Sequence, residues 1–441
     1  LKLWESDANL DISLQLRSLV ENAGYGTIMT RDTDVYPTLT ERCNIANNAN
    51  ATIFVSVHNN AYTSPAANGT KTYYYPGSTS GALLATYIQD ELIKQISTYD
   101  SGVKSASFTV LNGTNMPAVL VEGAFVSNPN EVKLLLSPAF RQKMAQGIFN
   151  GLDKYLLTTL PRIAGSNRYE TAVCLSKEGW ESASTVILAR GDDFPDALAG
   201  APLAFKHDAP MLLTGSSSLN SKTSDEIKRL KAARCIILGG TGAISAAVES
   251  QLKNMGLTVE RIAGKNRFET ASTIAKRVGS ASKSAIIVSG FNFPDALSIS
   301  SYAANFQIPI FLVSQNDVPS DVETMLSSLG ITNTIIVGGV GMVSQGVENW
   351  LKEKGYNPTR VSGSDRYETS ACIAGKYFSA PTNAYVATGG DFPDALSAAC
   401  LAAKMEAPVI LTKRETLPSG AKGYISGCAS GLKEVKLLGG N

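Results

Sequence analysis

The sequence predicts an α/β protein with several domains: one N-terminal α/β domain followed by three doubly wound parallel-sheet repeat domains. Three observations support this fold class. The chain has 441 residues, which is more than a single hydrophobic core usually organises. Three short motifs recur with a common spacing of 99 residues. Short apolar strands alternate with helical patterns along the chain, which is typical of parallel sheets covered by helices.

The composition is that of a globular protein and excludes several functional classes. Apolar residues make up 44% and charged residues 17% of the chain, and the formal net charge is +1. This balance does not fit a disordered chain, and it gives no bulk charge for nucleic-acid binding. No run reaches the roughly 18 apolar residues that a membrane span needs. We therefore expect neither nucleic acid nor membrane insertion.

Residues 1–158 are predicted to form the first domain, with helices and strands in alternation. Helical spacing of leucines and a stop at Gly24 predict the first helix, and Thr38 followed by Glu41 predicts a capping box. The predicted helices cover residues 9–24, 38–49, 80–96 and 138–156, and the predicted strands cover residues 25–31, 52–58 and 116–125.

Two candidate functional residues end predicted strands of this domain. His58 and Glu122 both lie at the carboxyl ends of apolar strands, the edge where open α/β sheets bind ligands. Glu5 lies just before the first helix. Taken singly, each residue has a structural interpretation: a hydrogen-bonded histidine, an acid satisfied at a strand end, and an acid favoured by the helix dipole.

The rest of the chain consists of three copies of one unit. The segment "FPDAL" begins at Phe194, Phe293 and Phe392, and "RIAG", "RIAG" and "RVSG" keep the same period. The predicted domains are residues 162–260, 261–359 and 360–441, and the third is expected to be incomplete or differently capped.

Each copy is predicted to alternate helices and strands. In the first copy, Asn167 with Glu170 three residues on predicts a helix cap and capping box over residues 166–178. A second cap is predicted at Asp193, with a helix over residues 193–206. Further helices are predicted over residues 224–233 and 245–256, and strands over residues 185–189, 210–214 and 235–240.

Two repeated features allow functional interpretations besides structural ones. The glycine-rich turns at Gly239 and Gly338 follow strands, but the dinucleotide fingerprint lacks its third glycine, so turn geometry is the preferred interpretation. The arginines that recur in the copies would suit an anion, although a structural ion pair is more common in isolation. These arginines are Arg168, Arg267 and Arg366. No histidine, cysteine or Ser–His pair recurs, so the copies are predicted to bind rather than catalyse.

The repeats resemble the cell-wall-binding repeat type 2 family of Gram-positive surface proteins. The matching segments are "RxxGxxRYET", "DFPDAL" and a "PILL"-like strand. The resemblance implies a pseudo-threefold arrangement and non-covalent binding of an anionic secondary cell wall polymer at the cell surface. It assigns polymer binding to the "PILL"-like segments and, with the anion interpretation, to the three arginines. The segment residues are Pro210, Met211, Leu212, Leu213, Pro309, Ile310, Phe311, Leu312, Pro408, Val409, Ile410 and Leu411.

Residues 1–158 resemble the zinc-dependent N-acetylmuramoyl-L-alanine amidases. "ESDANLD", "MTRDTD", "LTERCNIAN", "FVSVHNNA" and "MPAVLVEGAFVSN" occur in the family's order. The resemblance implies that Glu5 and His58 bind Zn²⁺ and that Glu122 is the catalytic acid. The family's third ligand is a histidine, which is expected upstream of Leu1.

The two resemblances together imply a secreted peptidoglycan hydrolase that is anchored to the cell wall. The expected substrate bond is the amide between N-acetylmuramic acid and L-alanine. One alternative is a non-catalytic surface-layer or adhesin protein whose amidase-like domain is defunct. Another is a nucleotide-dependent enzyme that uses the glycine-rich turns.

Overall fold

A computed structural model describes residues 3–414, 416–428 and 431–440. The chain divides into two compact units, Leu1–Leu160 and Pro161–Asn441, which are described separately below. Within the described ranges, we find no helix that combines the length and apolar composition needed to cross a membrane.

The first unit is a four-stranded mixed sheet with helices on both faces. Its strands are β1 (Phe54–Asn60), β2 (Thr70–Tyr74), β3 (Asp100–Ser105) and β4 (Ala118–Phe125). Its helices are α1 (Glu5–Asn22), α2 (Leu39–Asn48), α3 (Thr79–Ile96), α4 (Thr109–Asn112), α5 (Pro129–Leu136) and α6 (Pro138–Thr159). The strand order is β1-β4-β2-β3, and β2 runs antiparallel to β4 while the other pairs are parallel.

Helix packing on this sheet follows the apolar pattern of the sequence. Residues of α1, α3 and α6 form one core with Val119 and Val121 of β4. Residues of α2 and α4 form a smaller core with Phe54 and Leu120 on the other face. The predicted capping box of α2 is confirmed, because Thr38 accepts from the Glu41 backbone and the Glu41 side chain accepts from the Thr38 backbone.

Three strand predictions for this unit need correction. The predicted strand over residues 25–31 is wrong: this segment has no regular structure, and Ile28 is 61% exposed, so its apolar residues do not belong to a sheet. Strands β2 and β3 were not predicted. Their sequences, TKTYY and DSGVKS, are largely polar, and β3 is an edge strand without the continuous apolar run of a buried one.

The second unit contains the three copies. The first copy comprises β5 (Arg162–Ile163), α7 (Arg168–Gly179), β6 (Thr185–Arg190), α8 (Ala201–Lys206), β7 (Met211–Thr214), α9 (Ser221–Arg229), β8 (Arg234–Leu238) and α10 (Ala246–Asn254). The second comprises β9 (Thr258–Ile262), α11 (Arg267–Val278), β10 (Ser284–Ser289), α12 (Pro294–Asn305), β11 (Ile310–Val313), α13 (Ser320–Ser328), β12 (Asn333–Val337) and α14 (Gln345–Glu353). The third comprises β13 (Pro358–Val361), α15 (Arg366–Tyr377), β14 (Asn383–Thr388), α16 (Pro393–Lys404), β15 (Val409–Thr412), α17 (Ser419–Gly427) and β16 (Glu434–Leu438).

Each copy builds a four-stranded parallel sheet, which confirms the predicted fold class. The strand orders are β7-β6-β8-β9, β11-β10-β12-β13 and β15-β14-β16-β5. The fourth strand of the first and second sheets therefore comes from the start of the next copy in chain order. The third sheet is closed by β5, so that Leu437 and Leu438 pair with Arg162 and Ile163 of the first copy.

The three "FPDAL" segments meet one another. The rings of Phe194, Phe293 and Phe392 contact each other pairwise, with centroid distances of 5.5, 5.6 and 6.2 Å. Mutual contact of three equivalent side chains is what a common axis would produce. This cluster supports the predicted pseudo-threefold arrangement of the copies.

The predicted caps at the first helix of each copy are confirmed. The side chain of Asn167 accepts from the backbone N–H groups of Tyr169 and Glu170, and Asn266 and Asp365 do the same in the other copies. The reciprocal half of the predicted box differs. Glu170 accepts from Ser166 instead of from the cap residue.

The predicted helix over residues 193–206 is wrong in its first half. Helix α8 begins only at Ala201, whereas α12 and α16 begin at Pro294 and Pro393. The first copy has Pro202 where the others have Ser301 and Cys400. A proline there lacks the N–H that would bond the carbonyl four residues earlier, and its ring clashes with that carbonyl. Pro202 consequently lies in the first turn of α8, and residues 195–199 form turns.

Candidate functional site

Three side chains of the first unit form a row across neighbouring strands. His58 on β1 lies directly opposite Glu122 on β4, and Lys71 on β2 lies opposite Glu122 from the other side. Directly paired residues project to one face of a sheet with their Cβ atoms about 5 Å apart. The structure thus places Glu122 between an imidazole and an ammonium group, at the carboxyl end of β4.

Glu5 joins this row from the first turn of α1. Its Oε1 lies 3.0 Å from His58 Nδ1. The same oxygen accepts from Asn9 Nδ2 at 2.9 Å and from the backbone N–H of Asn59 at 3.3 Å. Burial alone would raise the pKa of Glu5, but these hydrogen bonds and the nearby His58 hold it below its ordinary value. Glu5 is therefore kept as a carboxylate.

A buried amide pair supports Glu5. Asn59 Nδ2 donates to Asn9 Oδ1 at 2.8 Å, and the Asn59 and Asn9 residues are 1% and 9% exposed. Asn9 thus receives one hydrogen bond and donates another, which fixes the orientation of its amide. The sequence analysis did not assign this role. The spacing of four between Glu5 and Asn9 on one helix was the available signal.

Glu122 has the opposite electrostatic character. Burial raises its pKa to about 7, and the carboxylate of Glu5 adds to the rise, while His58 and Lys71 oppose it. Its Oε2 is buried and has no hydrogen-bond partner among the described residues. A carboxyl group with a pKa near neutrality can both accept and donate a proton, which a general acid–base requires.

The donor set fits two ligands of a zinc site. A carboxylate and an imidazole are ordinary zinc ligands, and Glu5 Oε1 and His58 Nδ1 are close enough to share one ion. Both side chains are about one-third exposed. No group of three or more candidate metal ligands occurs in the part of the chain that the structure describes. The described residues thus place together the two side chains that the resemblance predicts as zinc ligands, and their binding of zinc stays a prediction.

The structure buries the "PILL"-like segments. All twelve residues assigned to polymer binding are buried, in or directly before the strands β7, β11 and β15. Met211, Phe311 and Val409, for example, are at most 1% exposed. This burial argues against direct contact between a polymer and these side chains, and their role in polymer binding stays a prediction. The buried residues are Pro210, Met211, Leu212, Leu213, Pro309, Ile310, Phe311, Leu312, Pro408, Val409, Ile410 and Leu411.

The three repeated arginines occupy equivalent, half-buried positions. Arg168, Arg267 and Arg366 each donate to the backbone carbonyl of the glycine that follows β6, β10 or β14, at 2.7 Å. The structural interpretation expected each arginine to form an ion pair with a nearby acid. Within the described ranges only Arg168 does so, since its Nη2 lies 3.3 Å from Asp391 of the third copy. The arginines thus tie loops together, and their polymer binding stays a prediction.

The glycine-rich turns have a local structural requirement. Gly239 and Gly338 have φ values of 100° and 102°, in the left-handed region that favours glycine. A Cβ atom at either position would lie within 2.5 Å of a carboxylate oxygen of Asp196 or Asp295. Turn geometry accounts for these glycines without a bound nucleotide.

Two family profiles match different parts of the chain. Residues 2–154 match the N-acetylmuramoyl-L-alanine amidase profile. Residues 162–249, 261–348 and 360–441 match the profile of cell wall binding domain 2, CWB2.

The chain belongs to the CWB2 family, and its first unit to the amidase family.

Two curated proteins are similar to this chain over more than half of its length. The N-acetylmuramoyl-L-alanine amidase LytC of Bacillus subtilis is 39% identical over 282 residues, covering 63% of this chain and 56% of LytC. The amidase enhancer of B. subtilis is 38% identical over 262 residues, covering 59% of this chain and 36% of the enhancer. The chain thus spans about half or less of these relatives.

A solved structure extends the likeness to the fold. Cwp8 from Clostridium difficile superposes with a TM-score of 0.60 and 31% identity, over 74% of this chain and 55% of that chain. This likeness supports the arrangement of α/β repeats described above.

Proposed function

We propose that this CWB2 protein is a cell-wall-anchored N-acetylmuramoyl-L-alanine amidase. It would hydrolyse the amide between N-acetylmuramic acid and the L-alanine of the peptidoglycan stem. The observation that carries the proposal is the placement of Glu122. Its buried, unpartnered carboxyl oxygen lies in one row with His58 and close to Glu5. Membership of the amidase family supports the same reaction.

Glu122 would act first as general base and then as general acid. Its carboxylate takes a proton from the attacking water and then passes it to the departing amine of L-alanine. Burial suits both steps, because it raises the pKa of Glu122 to about 7. Proton uptake and release near neutral pH then cost little free energy.

Glu5 and His58 would hold Zn²⁺ together with a third ligand. The chemistry that zinc supplies in such sites is polarisation of the scissile carbonyl and a lowered pKa of water. Asn9 and the backbone of Asn59 keep the Glu5 carboxylate oriented through their hydrogen bonds. Such partners of a ligand tune both its geometry and its affinity for metal.

The three repeats would hold the enzyme to the wall from outside the cell. We infer that their partner is an anionic secondary cell wall polymer and that the protein is secreted. Three linked copies favour this role, because several weak sites engaged together raise the overall affinity. The net charge of +1 means that attraction must come from local arginines and lysines, so binding should weaken as salt increases.

Mass spectrometry of digested peptidoglycan tests the proposal. The full-length protein, supplied with zinc, should release stem peptides with a free L-alanine amino group and leave intact glycan strands. Chelation should abolish this release, and added zinc should restore it. Intact substrate after zinc reconstitution would instead favour a non-catalytic surface protein with a defunct amidase domain.

A further inference from the structure

The three copies meet at equivalent junctions, and the junction of the first and second copies has a charged lining. There, a cleft of about 320 Å³ lies between the first and second copies. Its charged lining residues are Arg190, Asp193, Asp196, Lys265 and Arg267. We call this space the first cleft. It lies at the carboxyl ends of β6 and β8, where the strand order of the first sheet reverses, which is the usual ligand position in such sheets.

Pro202 changes the segment that borders this cleft. The segment that precedes α8 forms turns, whereas the corresponding segments of α12 and α16 are helical. Asp196 is half-buried, as is its third-copy counterpart Asp394, while the second-copy counterpart Asp295 is only 8% exposed. Burial raises the pKa of Asp295 to about 6. The second copy therefore encloses the carboxyl group that the first copy leaves at the cleft.

Two of the three cations of the first cleft, Arg190 and Lys265, are peculiar to this junction. Position 190 is serine in the second copy and threonine in the third, and position 265 is serine in both other copies. These counterparts are Ser289, Thr388, Ser166 and Ser364. Two of the three cations are thus departures from the repeat rather than parts of it.

The same cations differ in how far they are neutralised. Arg190 forms a two-point ion pair with Asp192, at 2.5 and 3.0 Å. Within the described ranges, Lys265 and Arg267 form no ion pair with a carboxylate, although Arg267 donates to the carbonyl of Gly290. At the junction of the third and first copies, by contrast, Arg168 is paired with Asp391.

We propose that the first cleft binds an acidic saccharide, and that the three junctions of the repeat unit are unequal in this respect. Lys265 and Arg267 would bind the carboxylate or phosphate of the saccharide, since neither forms an ion pair with a carboxylate of the described residues. Asp193 and Asp196 would accept hydrogen bonds from its hydroxyl groups. This inference rests on the proposed wall anchoring, and it names the junction and the chemistry responsible.

The test replaces the cleft cations by the residues of the other copies. The variant Arg190→Ser with Lys265→Ser is made in the full-length protein, and its sedimentation with purified cell walls is compared with the parent. We expect at least about tenfold weaker binding, because the variant removes Lys265, whose charge-assisted hydrogen bond to the anion is worth on the order of tenfold or more. The control is Lys276→Ser, which removes one charge at the far, exposed end of the same helix α11 and should bind walls as the parent does.

Titration with defined saccharides separates this inference from the anchoring proposal. The probes are trigalacturonate, glucose 6-phosphate and neutral maltotriose, added to parent and cleft variant in a calorimeter. Binding of either acidic probe by the parent, reduced in the variant and absent for maltotriose, supports the cleft and identifies carboxylate or phosphate as the anion.

The outcomes fall into distinct classes. If the parent does not sediment with walls, the anchoring proposal fails, and the titrations alone then judge the cleft. If the parent sediments and the cleft variant binds as well as the parent, the first cleft is not the site and the inference is overturned. The same conclusion follows if Lys276→Ser weakens binding as much as the cleft variant, because the effect would then be one of overall charge.

Discussion

The sequence motifs of the two units have different structural roles. In the first unit, single polar residues at strand ends meet in one place, and Glu5, His58 and Glu122 form a compact site. In the second unit, the most strongly repeated segments supply the packing. The "FPDAL" phenylalanines contact one another, and the "PILL"-like strands fill the core.

The difference teaches where function can be sought in a repeated sequence. A residue that is the same in every copy meets a structural need that all copies share. The most general of these needs is a closely packed core. Features that a single copy has alone, such as Pro202, Arg190 and Lys265, are free of that requirement. In this repeat unit the first cleft occurs where the repeat is broken.

The largest expected effect concerns the site of the first unit. Glu122→Gln should reduce peptidoglycan hydrolysis by about 10²- to 10⁴-fold, because a general acid–base contributes on this order. Bound zinc should be unchanged, since Glu122 is not one of the proposed ligands. Release of stem peptides and metal content are measured on the same preparation.

Asp90→Asn is the control for this variant, since it neutralises an exposed acid on α3. Its hydrolysis rate should equal that of the parent. A Glu122→Gln variant with near-parental hydrolysis would move the catalytic acid elsewhere and remove the contrast between the two units.

The buried strands of the second unit should respond through stability. Phe311 is fully buried on β11, so Phe311→Ala should lower the free energy of unfolding by about 3–5 kcal/mol. Leu312→Met conserves volume and should cost less than about 1.5 kcal/mol. Urea unfolding of the full-length protein measures both changes.

Wall binding by these variants decides between packing and direct contact. Leu312→Met should sediment with walls as the parent does, because its role is to fill the core. Loss of wall binding by Leu312→Met at parental stability would restore direct polymer contact and contradict the burial argument.

The raised pKa of Glu122 predicts a pH effect on stability in the metal-free protein. The folded state holds this proton up to about pH 7, whereas the unfolded state releases it near pH 4.5. The folded state therefore binds more protons in this window, and its advantage falls as pH rises. The difference in unfolding free energy between parent and Glu122→Gln should change by about 3 kcal/mol from pH 4.5 to 7. Parallel curves for the two proteins would contradict the raised pKa.

The smallest expected effect concerns the cleft. Pro202→Ser gives the first copy the residue of the second copy, and α8 should extend toward Pro195. The free energy of unfolding should change by no more than about 1 kcal/mol. Amide hydrogen exchange at residues 197–200 should slow, and wall binding should weaken as the cleft narrows. Unchanged exchange would show that Pro202 does not set the start of α8.

Much of the fold could be predicted from local signals. The period of 99 residues, the alternation of apolar strands with helices, and the caps at Thr38 and Asn167 all predicted elements that the structure contains. Strands β2 and β3 could not be predicted, because their pairing with β4 and with each other is a tertiary effect on polar sequences. Closure of the third sheet by β5 could not be predicted either, since β5 and its partner β16 are far apart in sequence.

The candidate site was predicted only in part. Glu5, His58 and Glu122 were found from their position and from the family resemblance, and the structure brings them together. Lys71 was missed because its strand was missed. The first cleft was missed because candidate residues of the repeats were chosen for recurring in every copy. Arg190 and Lys265 do not recur, since their counterparts are serine and threonine.

The strand β5 also determines how the molecule would bear a mechanical load. A pull along the chain from residue 160 reaches Arg162 and Ile163 before any other element of the repeat unit. These residues pair with Leu437 and Leu438 of the third copy. Leu437 N–H donates to Pro161 O, Gly439 N–H donates to Ile163 O, and the Arg162 guanidinium donates to the Gly439 carbonyl. Parallel strands pulled lengthwise resist by shear, in which all the bonds must break together. The β5–β16 pair would therefore separate first under tension, which would open the third sheet while the other two sheets stay intact.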